Sequence, residues 1–185
     1  MRIIAGAYKG KRLVSLDSKS LNIRPTSDMA RGALFSILAR WPKGCFLDLF
    51  AGSGAVALEA LSRGYLPVWC VERNKRALDC IRANSSGTGL KIISKDVRDL
   101  EAGAFSGVSV IFADPPYEKT LEMWGAMAAT LRDLLSPDGV LVWECRKTAD
   151  LPEIPGLTLA CEKRYGAAKF LFFDSAHNQN RALRT

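Results

Sequence analysis

Short apolar runs alternate with amphipathic segments along most of the chain, and this alternation limits the fold more than any other feature. Five of these runs are 45–50, 67–72, 90–94, 107–113 and 139–145. Between them, apolar residues recur at helical spacing in 54–63, in 74–84 and at Leu121, Trp124, Ala128, Leu131 and Leu135. Strands joined by crossover helices form a parallel sheet that is buried on both faces. The expected fold class is therefore α/β, with a doubly wound and mainly parallel sheet.

Two further apolar runs, 157–162 and 168–173, follow each other without an intervening helix. They predict an antiparallel hairpin that turns near Gly166 and brings the sheet to seven strands. The chain has 185 residues, which is enough for one well-buried domain. We expect this main domain over 26–174 and a polar tail over 175–185.

The first 25 residues are expected to form an extension of the main domain. Residues 1–15 alternate apolar and polar side chains around Gly6 and Gly10, which predicts a small basic β-hairpin. After it, Thr26-Ser27-Asp28 offers helix N-cap residues, and apolar residues at helical spacing predict a helix from Met29 to about Arg40.

Positive charge is concentrated at the N-terminus. Residues 1–44 contain nine Lys and Arg against two Asp, whereas the remainder of the chain is balanced. A basic segment on a neutral body is typical of proteins that bind a phosphate backbone, although a charged and merely solvated flank is the alternative. The predicted nucleic-acid contacts in this segment are Arg2, Lys9, Lys11, Arg12, Arg24 and Arg31.

Cysteine and histidine usage excludes several classes of protein. The cysteines are Cys45, Cys70, Cys80, Cys145 and Cys161, an odd number without Cys-x-x-Cys spacing, so we expect reduced core thiols and no metal site. The single histidine, His177, lies in the polar tail and is assigned no role. The apolar runs are too short to span a bilayer and no signal peptide is recognisable, so a cytoplasmic protein without membrane contact is expected.

A glycine-rich turn follows the first predicted strand of the sheet. Leu47-Asp48-Leu49-Phe50-Ala51-Gly52-Ser53-Gly54 runs directly into a helix, where Gly52 and Gly54 would let a ligand lie against the backbone. Gly52 to Ala57 also matches the G-x-G-x-x-A fingerprint of dinucleotide-binding domains, and Glu72 stands where a ribose-binding acid is expected. The turn therefore predicts a nucleoside cofactor and leaves its identity open.

Asp48 favours S-adenosylmethionine over a dinucleotide. A carboxylate beside the turn would repel a pyrophosphate and attract the ammonium and sulfonium groups of S-adenosylmethionine. Glu72 would accept hydrogen bonds from the ribose with either cofactor. Asp96, followed by Val97, is the candidate for the adenine amine, although an isolated loop aspartate is more often a helix cap.

The fourth strand ends in Asp114-Pro115-Pro116-Tyr117. In a doubly wound sheet this end lies beside the glycine turn, and consecutive prolines stiffen the chain there. We predict that the Asp114 side chain and the Pro115 carbonyl accept hydrogen bonds from an exocyclic amine of a base, with Tyr117 stacking on that base. Transfer of a methyl group to such an amine requires positioning rather than a metal. The alternative is an ordinary strand-ending turn.

With these motifs, the chain resembles the bacterial methyltransferases that modify the N2 amine of guanine 966 in 16S ribosomal RNA. Beyond the glycine turn and the tetrapeptide, the resemblance rests on Met1-Arg2-Ile3-Ile4-Ala5-Gly6, Lys9-Gly10-Lys11-Arg12-Leu13, Arg24-Pro25-Thr26-Ser27-Asp28, Ala33-Leu34-Phe35 with Leu38, and Leu58-Glu59-Ala60-Leu61-Ser62-Arg63-Gly64. The tetrapeptide is shared with adenine-N6 DNA methyltransferases, so the N-terminal block narrows the family.

The resemblance implies a class I methyltransferase sheet, S-adenosylmethionine as cofactor and small-subunit RNA as partner, for a protein expected to be a monomer. It implies cofactor contacts at Asp48, Phe50, Gly52, Gly54, Glu72, Asp96 and Val97, and target contacts at Asp114, Pro115, Pro116 and Tyr117. One departure stands out, since Met29-Ala30-Arg31-Gly32 replaces the family's Arg-x-Arg-Glu and places a glycine in the helix. An adenine-N6 DNA methyltransferase and a dinucleotide-binding domain remain alternatives.

Overall fold

The computed structural model describes residues 1–16, 27–101, 103, 105 and 107–175. Helices in these residues are α1 (Asp28–Leu38), α2 (Ala55–Ser62), α3 (Lys75–Ser85) and α4 (Thr120–Leu134). The strands are β1 (Phe46–Leu49), β2 (Val68–Glu72), β3 (Lys91–Ser94), β4 (Val108–Ala113), β5 (Leu135–Arg146), β6 (Leu157–Tyr165) and β7 (Ala168–Ser175). Short 3₁₀ turns cover Val97–Asp99 and Tyr117–Lys119.

All of these strands belong to one seven-stranded sheet with the order β3-β2-β1-β4-β5-β7-β6. Strands β1 to β5 are parallel, and β7 is antiparallel to both β5 and β6. The predicted α/β class and the antiparallel pair around Gly166 are confirmed. Strand β5 begins at Leu135, before the predicted run 139–145, and β7 lies between β5 and β6, an order that the apolar pattern does not contain.

Both faces of the sheet are buried because successive side chains of a strand point to opposite sides. In β1, Phe46 faces a layer built from α1, α2 and α3, whereas Leu47 and Leu49 face the layer built from α4. The near-continuous apolar sequence of the central strands follows from this double burial. The sheet is therefore a rigid platform, and the turns at its carboxyl edge are held by packed strands.

The predicted helix after residue 28 is confirmed as α1, which ends at Leu38 rather than near Arg40. Ser27 caps it, since its hydroxyl accepts a hydrogen bond from the Ala30 amide at 3.2 Å. Within the described residues, none of the helices combines the length and the apolar composition needed to cross a bilayer. The five cysteines are free thiols, and the described residues form no cluster suited to a metal ion.

Residues 1–16, which we call the N-terminal segment, double back and lie against α2. Arg2 and Arg12 form a single antiparallel bridge, so the segment is hairpin-like without two regular strands. Ile3 and Leu13 are buried with α2 residues in a small apolar cluster. Residues 17–25 of the predicted extension, and the tail from 176 with His177, lie outside the described residues.

One glycine is required where the N-terminal segment passes the end of α2. Gly6 has a φ of +86°, and a Cβ at this position would overlap the Ser62 carbonyl. The Ala7 amide donates to the same carbonyl at 2.8 Å, and the Ser62 hydroxyl donates to the Ala5 carbonyl at 2.6 Å. The segment is thus fixed to the sheet domain by backbone contacts as well as by apolar packing.

Candidate active site at the carboxyl edge of the sheet

Two predicted site turns leave the sheet side by side. Strands β1 and β4 are parallel neighbours with Leu49 paired to Ala113, so the glycine turn and the tetrapeptide begin at the same level of the same edge. On its other side Ala113 pairs with Trp143 of β5. Adjacent parallel strands lie about 4.8 Å apart. The sheet register therefore brings together the two motifs that lie sixty residues apart in the sequence.

The glycine turn contains a run of left-handed backbone conformations. Phe50 has a φ of +61°, and Gly52 and Gly54 have φ values of +56° and +75°. A side chain at Gly54 would also press on Ile81 of α3, with its Cβ 3.3 Å from the Ile81 Cγ1. Left-handed conformations are unfavourable for residues with a Cβ, so Phe50 is strained, and such strain is concentrated at ligand sites.

Asp48 lies beneath the glycine turn and is only 1% exposed. Its Oδ2 accepts a hydrogen bond from the Ala57 amide of α2 at 3.0 Å. Burial raises the pKa of Asp48 to about 8, the Ala57 hydrogen bond opposes this shift, and the nearby Glu72 carboxylate adds to it. The raised pKa favours the neutral form of Asp48. A neutral Asp48 does not repel a pyrophosphate. The predicted preference for S-adenosylmethionine therefore applies when a bound cation has stabilised the ionised form of Asp48.

Glu72 ties the glycine turn to the turn that follows β2. Its Oε2 accepts from the Gly52 amide at 2.9 Å, and its Oε1 accepts from the Arg73 and Asn74 amides, each at 2.8 Å. A carboxylate can accept about four hydrogen bonds. These contacts leave room for one more donor at the position where sequence predicts a ribose hydroxyl.

Asp96 caps the 3₁₀ turn that begins at the buried Val97. Its Oδ1 accepts from the Arg98 amide at 3.0 Å, and its carboxylate pairs with the guanidinium groups of Arg98 and Arg73 at 2.9 and 2.7 Å. Hydrogen bonds from Arg98, and then from Arg73, hold the pKa of Asp96 well below its usual range. The capping alternative is thus realised in the structure, and contact of Asp96 with an adenine amine stays a prediction.

The tetrapeptide passes from the buried sheet to the surface within four residues. Asp114 is half-buried, Pro115 is buried and Pro116 is exposed. Pro116 then starts the 3₁₀ turn, where its carbonyl accepts a hydrogen bond from the Lys119 amide at 2.8 Å. This places the half-buried Asp114 and Tyr117 on either side of a proline pair whose φ angles are restricted.

The half-buried Tyr117 ring has a cation over one face. The guanidinium carbon of Arg146, the last residue of β5, lies 5.2 Å from the ring centroid. The same guanidinium pairs with Glu118 at 3.5 Å, and both of these charged side chains are more than half exposed. No sequence motif indicates Arg146, because its nearness to Tyr117 follows from the pairing of β4 with β5.

The N-terminal segment reaches the glycine turn through Asn84 of α3. Asn84 Nδ2 donates to the Ser53 carbonyl and to the Val14 carbonyl, each at 3.0 Å, while Asn84 Oδ1 accepts from the Val14 amide at 2.7 Å. The predicted contacts Arg2, Lys9 and Arg12 are exposed, and Lys11 is half-buried. Positive charge therefore lies on a segment that is anchored beside the proposed cofactor turn.

Arg31 requires a correction. It was predicted to contact nucleic acid, yet it is fully buried, because its guanidinium is enclosed by Asp28, Glu59 and the Arg2 carbonyl. It holds the N-terminal segment instead of reaching a partner. Arg24, the other prediction in this region, lies outside the described residues.

Glu59 of α2 is the centre of this buried network and was not singled out from sequence. It accepts hydrogen bonds from the Ile4 and Ala5 amides at 2.7 and 3.1 Å and pairs with Arg63 at 2.7 Å. An acidic residue within the otherwise apolar Ala55–Ser62 was the available signal, since a buried carboxylate needs partners. One helix thus carries the glycine turn at its start and the N-terminal segment near its end.

The comparisons with known proteins agree with this architecture. The model of the family described as "conserved hypothetical protein 95" matches residues 1–174. The chain belongs to this family. The match spans the N-terminal segment, the glycine turn and the tetrapeptide.

Several curated relatives of this chain are named as ribosomal RNA methyltransferases. YlbH of Bacillus subtilis, described as a candidate rRNA methyltransferase, is 33% identical over 90% of this chain and 94% of its own length. Ribosomal RNA small subunit methyltransferase D of Haemophilus influenzae is 29% identical over 95% of this chain and 94% of its own. The resemblance predicted from sequence is confirmed.

A solved structure confirms the class I methyltransferase fold. The Escherichia coli protein yhhF, described as a candidate methyltransferase, superposes with a TM-score of 0.77 at 27% identity, covering 95% of this chain and 97% of its own. Enzymes of this class generally use S-adenosylmethionine. The chain thus has the fold of this class of methyltransferases.

Proposed function

We propose that this chain transfers a methyl group from S-adenosylmethionine to the N2 amine of guanine 966 in 16S ribosomal RNA. The carrying observation is the pairing of Leu49 with Ala113, which sets the glycine turn and the tetrapeptide next to each other. The names of the relatives support RNA of the small subunit as the substrate. We place the reaction in the cytoplasm, where small subunits are assembled, and assign it to a monomer.

The residues at the glycine turn suit a cationic cofactor. Asp48 is a buried acid whose pKa is raised, so a cation bound nearby would stabilise its ionised form and release a proton. Glu72 has one acceptor position left for a ribose hydroxyl. Gly52 and Gly54 have no side chains, so the ligand can contact the protein backbone at these two positions. Phe50 and Val97 are the proposed apolar contacts of the same ligand, and Asp96 the adenine contact.

S-adenosylmethionine would supply an electrophilic methyl group on a sulfonium, and the chain's own task is to hold the nucleophile. The guanine amine is a weak nucleophile because its lone pair is delocalised into the ring. Hydrogen bonds from its two N–H groups to the Asp114 carboxylate and the Pro115 carbonyl would favour a pyramidal nitrogen with a localised lone pair. In the displacement the nitrogen–carbon bond would form as the carbon–sulfur bond breaks, S-adenosylhomocysteine would leave, and the proton of the nitrogen would pass to Asp114 or to water.

Access to this site requires the guanine to leave its stack. Tyr117 has an aromatic face on which an extruded base can stack, an interaction worth about 1–3 kcal/mol. Pro116, exposed beside it, is the proposed neighbour of the same nucleotide. Exposed cations of the N-terminal segment (Arg2, Lys9, Arg12) would bind the RNA backbone, which makes the affinity salt-dependent.

Methyl transfer to RNA with a labelled donor tests the proposal. Small-subunit RNA from cells that lack the gene is incubated with the wild type, with Asp114→Ala and with Asp79→Asn, a control at an exposed carboxylate of α3. We expect N2-methylguanosine at one position with the wild type and the control. Asp114→Ala should lower transfer about a hundredfold or more and leave cofactor binding intact, because it removes a group that holds the reacting centre.

The product distinguishes the alternatives. Labelled N6-methyladenine in duplex DNA would favour the adenine-N6 enzyme and overturn the RNA proposal. Binding of NAD without binding of S-adenosylmethionine would exclude methyl transfer as the function of this chain. Unchanged transfer by Asp114→Ala would remove this carboxylate from the mechanism.

A further inference from the structure

Arg146 makes two contacts through two different parts of its guanidinium group. The group lies over the Tyr117 ring, with 5.2 Å between its carbon and the ring centroid, and its NH2 nitrogen approaches Glu118 at 3.5 Å. A guanidinium is planar, so it stacks through its face while its N–H groups point outward in the plane. The contact with the ring and a contact with an anion are therefore compatible.

The Arg146 guanidinium lies over one face of the Tyr117 ring. A base that stacks on the same ring must use the opposite face, so the position of Arg146 limits where the target nucleotide can lie. Cation–π contacts at exposed sites contribute about 0.5–1 kcal/mol, which is enough to favour one ring orientation. Arg146 is thereby suited to orient Tyr117 before the substrate arrives.

The pairing of Arg146 with Glu118 is weak enough to be exchanged. Both side chains are more than half exposed, at 57% and 67%, and the separation of 3.5 Å is long for a charge-assisted hydrogen bond. Exposed ion pairs of this kind contribute about 0–1 kcal/mol. A backbone phosphodiester carries one negative charge, as a carboxylate does, and its two free oxygens can accept two N–H groups of one guanidinium, so it can take the place of Glu118 when RNA binds. Two exposed lysines, Lys119 and Lys147, lie next in sequence and add to the local positive charge.

We propose that Arg146 is a positioning residue for the target nucleotide. Its face holds Tyr117 in the orientation that stacks the base, and its edge exchanges Glu118 for a phosphate of the RNA backbone next to that base. The proposal rests on the proposed RNA methylation at the same site. It adds a second RNA contact region to the N-terminal segment. This second region follows the tetrapeptide in the sequence, whereas the N-terminal segment precedes it.

Steady-state methylation of small-subunit RNA by a set of variants tests this assignment. The set is Arg146→Ala, Arg146→Lys, Glu118→Gln and the double variant Arg146→Ala with Glu118→Gln. Arg82→Ala is the matched control, because Arg82 is also an ion-paired arginine and is 58% exposed, on α3. The KM for RNA, the kcat and the KM for S-adenosylmethionine are measured at several salt concentrations.

Arg146→Ala should raise the KM for RNA about tenfold with kcat changed less than about twofold, since stacking and one phosphate contact are lost. The slope of log KM against log salt should fall by about 0.7, the value for one phosphate contact on a single strand. Arg146→Lys should restore the salt slope and only part of the affinity. Glu118→Gln should lower the KM about threefold with Arg146 present and leave it unchanged in the Arg146→Ala background.

Other outcomes overturn the assignment. An RNA KM and salt slope in Arg146→Ala that equal those of Arg82→Ala would exclude a contact with the substrate. If Glu118→Gln lowered the KM for RNA equally in the wild-type and Arg146→Ala backgrounds, its effect would come from the loss of a negative charge and not from the pairing with Arg146. A fall in kcat or a changed KM for S-adenosylmethionine, with the RNA KM constant, would indicate a structural role. If the wild type methylates no RNA, the proposed function fails first and this assignment fails with it.

Discussion

Asp48 couples the candidate cofactor turn to pH. Its carboxyl group is buried under the first turn of α2, and its pKa in the folded state is about 8 against an ordinary value of 3.8. Between these pH values the folded protein holds a proton that the unfolded chain has released. A buried acid of this kind costs stability as the pH rises, and a bound cation would remove part of that cost.

The free energy of unfolding should therefore fall as pH rises from about 4 to about 8, with a slope from this group of up to about 1.4 kcal/mol per pH unit. Asp48→Asn keeps an acceptor for the Ala57 amide and removes the titration. As the pH rises over this range, the free energy of unfolding of Asp48→Asn should increase relative to that of the wild type. Urea unfolding at a series of pH values measures it, and a constant difference would show that Asp48 is ionised in the folded protein.

Some individual side chains could be assigned from sequence and others could not. Glycine at Gly52 and Gly54 and the prolines of the tetrapeptide are local signals, because each restricts or frees the backbone at its own position. The burial of Arg31 is not local. It depends on Glu59 and on the carbonyl of Arg2, which reach it only after α1 and the N-terminal segment have packed on α2.

At the level of elements, α2 connects the glycine turn to the N-terminal segment. Gly54 caps its start, and Glu59 near its end accepts the Ile4 and Ala5 amides and pairs with two arginines. Removing one partner from a buried ionic network costs about 3–5 kcal/mol, because the remaining charge is uncompensated. The Glu59 carboxylate is thus the main fixed point of the basic N-terminal segment.

Glu59→Gln should lower the free energy of unfolding by about 3 kcal/mol and release the N-terminal segment from α2, since it removes the charge that pairs with Arg63 and leaves the buried Arg31 with Asp28 as its remaining anion. Hydrogen exchange should show loss of protection at the Ile4 and Ala5 amides, with strand amides of the sheet still protected. Arg63→Ala is the matched control, because it removes only the outer, 21% exposed partner. Protection of both amides in Glu59→Gln at the wild-type level would contradict this role.

The elements themselves were largely predictable, because each strand of the parallel sheet is a continuous apolar run and each helix has apolar residues at helical spacing. The order and register in which the strands pair were harder to predict from the sequence. Strand β7 lies between β5 and β6, and the approach of Arg146 to Tyr117 depends on the register of β4 with β5. Register and strand order arise from packing over the whole sheet, which no local window of sequence contains.

For the whole molecule, the sheet brings two separate regions of sequence to one edge, and α3 fixes part of a third region beside one of them. The glycine turn and the tetrapeptide adjoin through β1 and β4, and Asn84 links the N-terminal segment to the glycine turn. This arrangement would let one surface bind an RNA backbone while a base enters between the two turns. The central claim is that those turns form one site for the cofactor and the target amine.

The most direct test is a titration of ¹⁵N-labelled protein with S-adenosylmethionine, followed by amide chemical shifts. We predict that the amides of Gly52 and Gly54 and those of Asp114 and Tyr117 shift together with a single dissociation constant, while Leu159 on the edge strand β6 does not move. S-adenosylhomocysteine should shift the glycine turn to a similar extent and the tetrapeptide less. Shifts confined to one of the two turns would contradict a shared site.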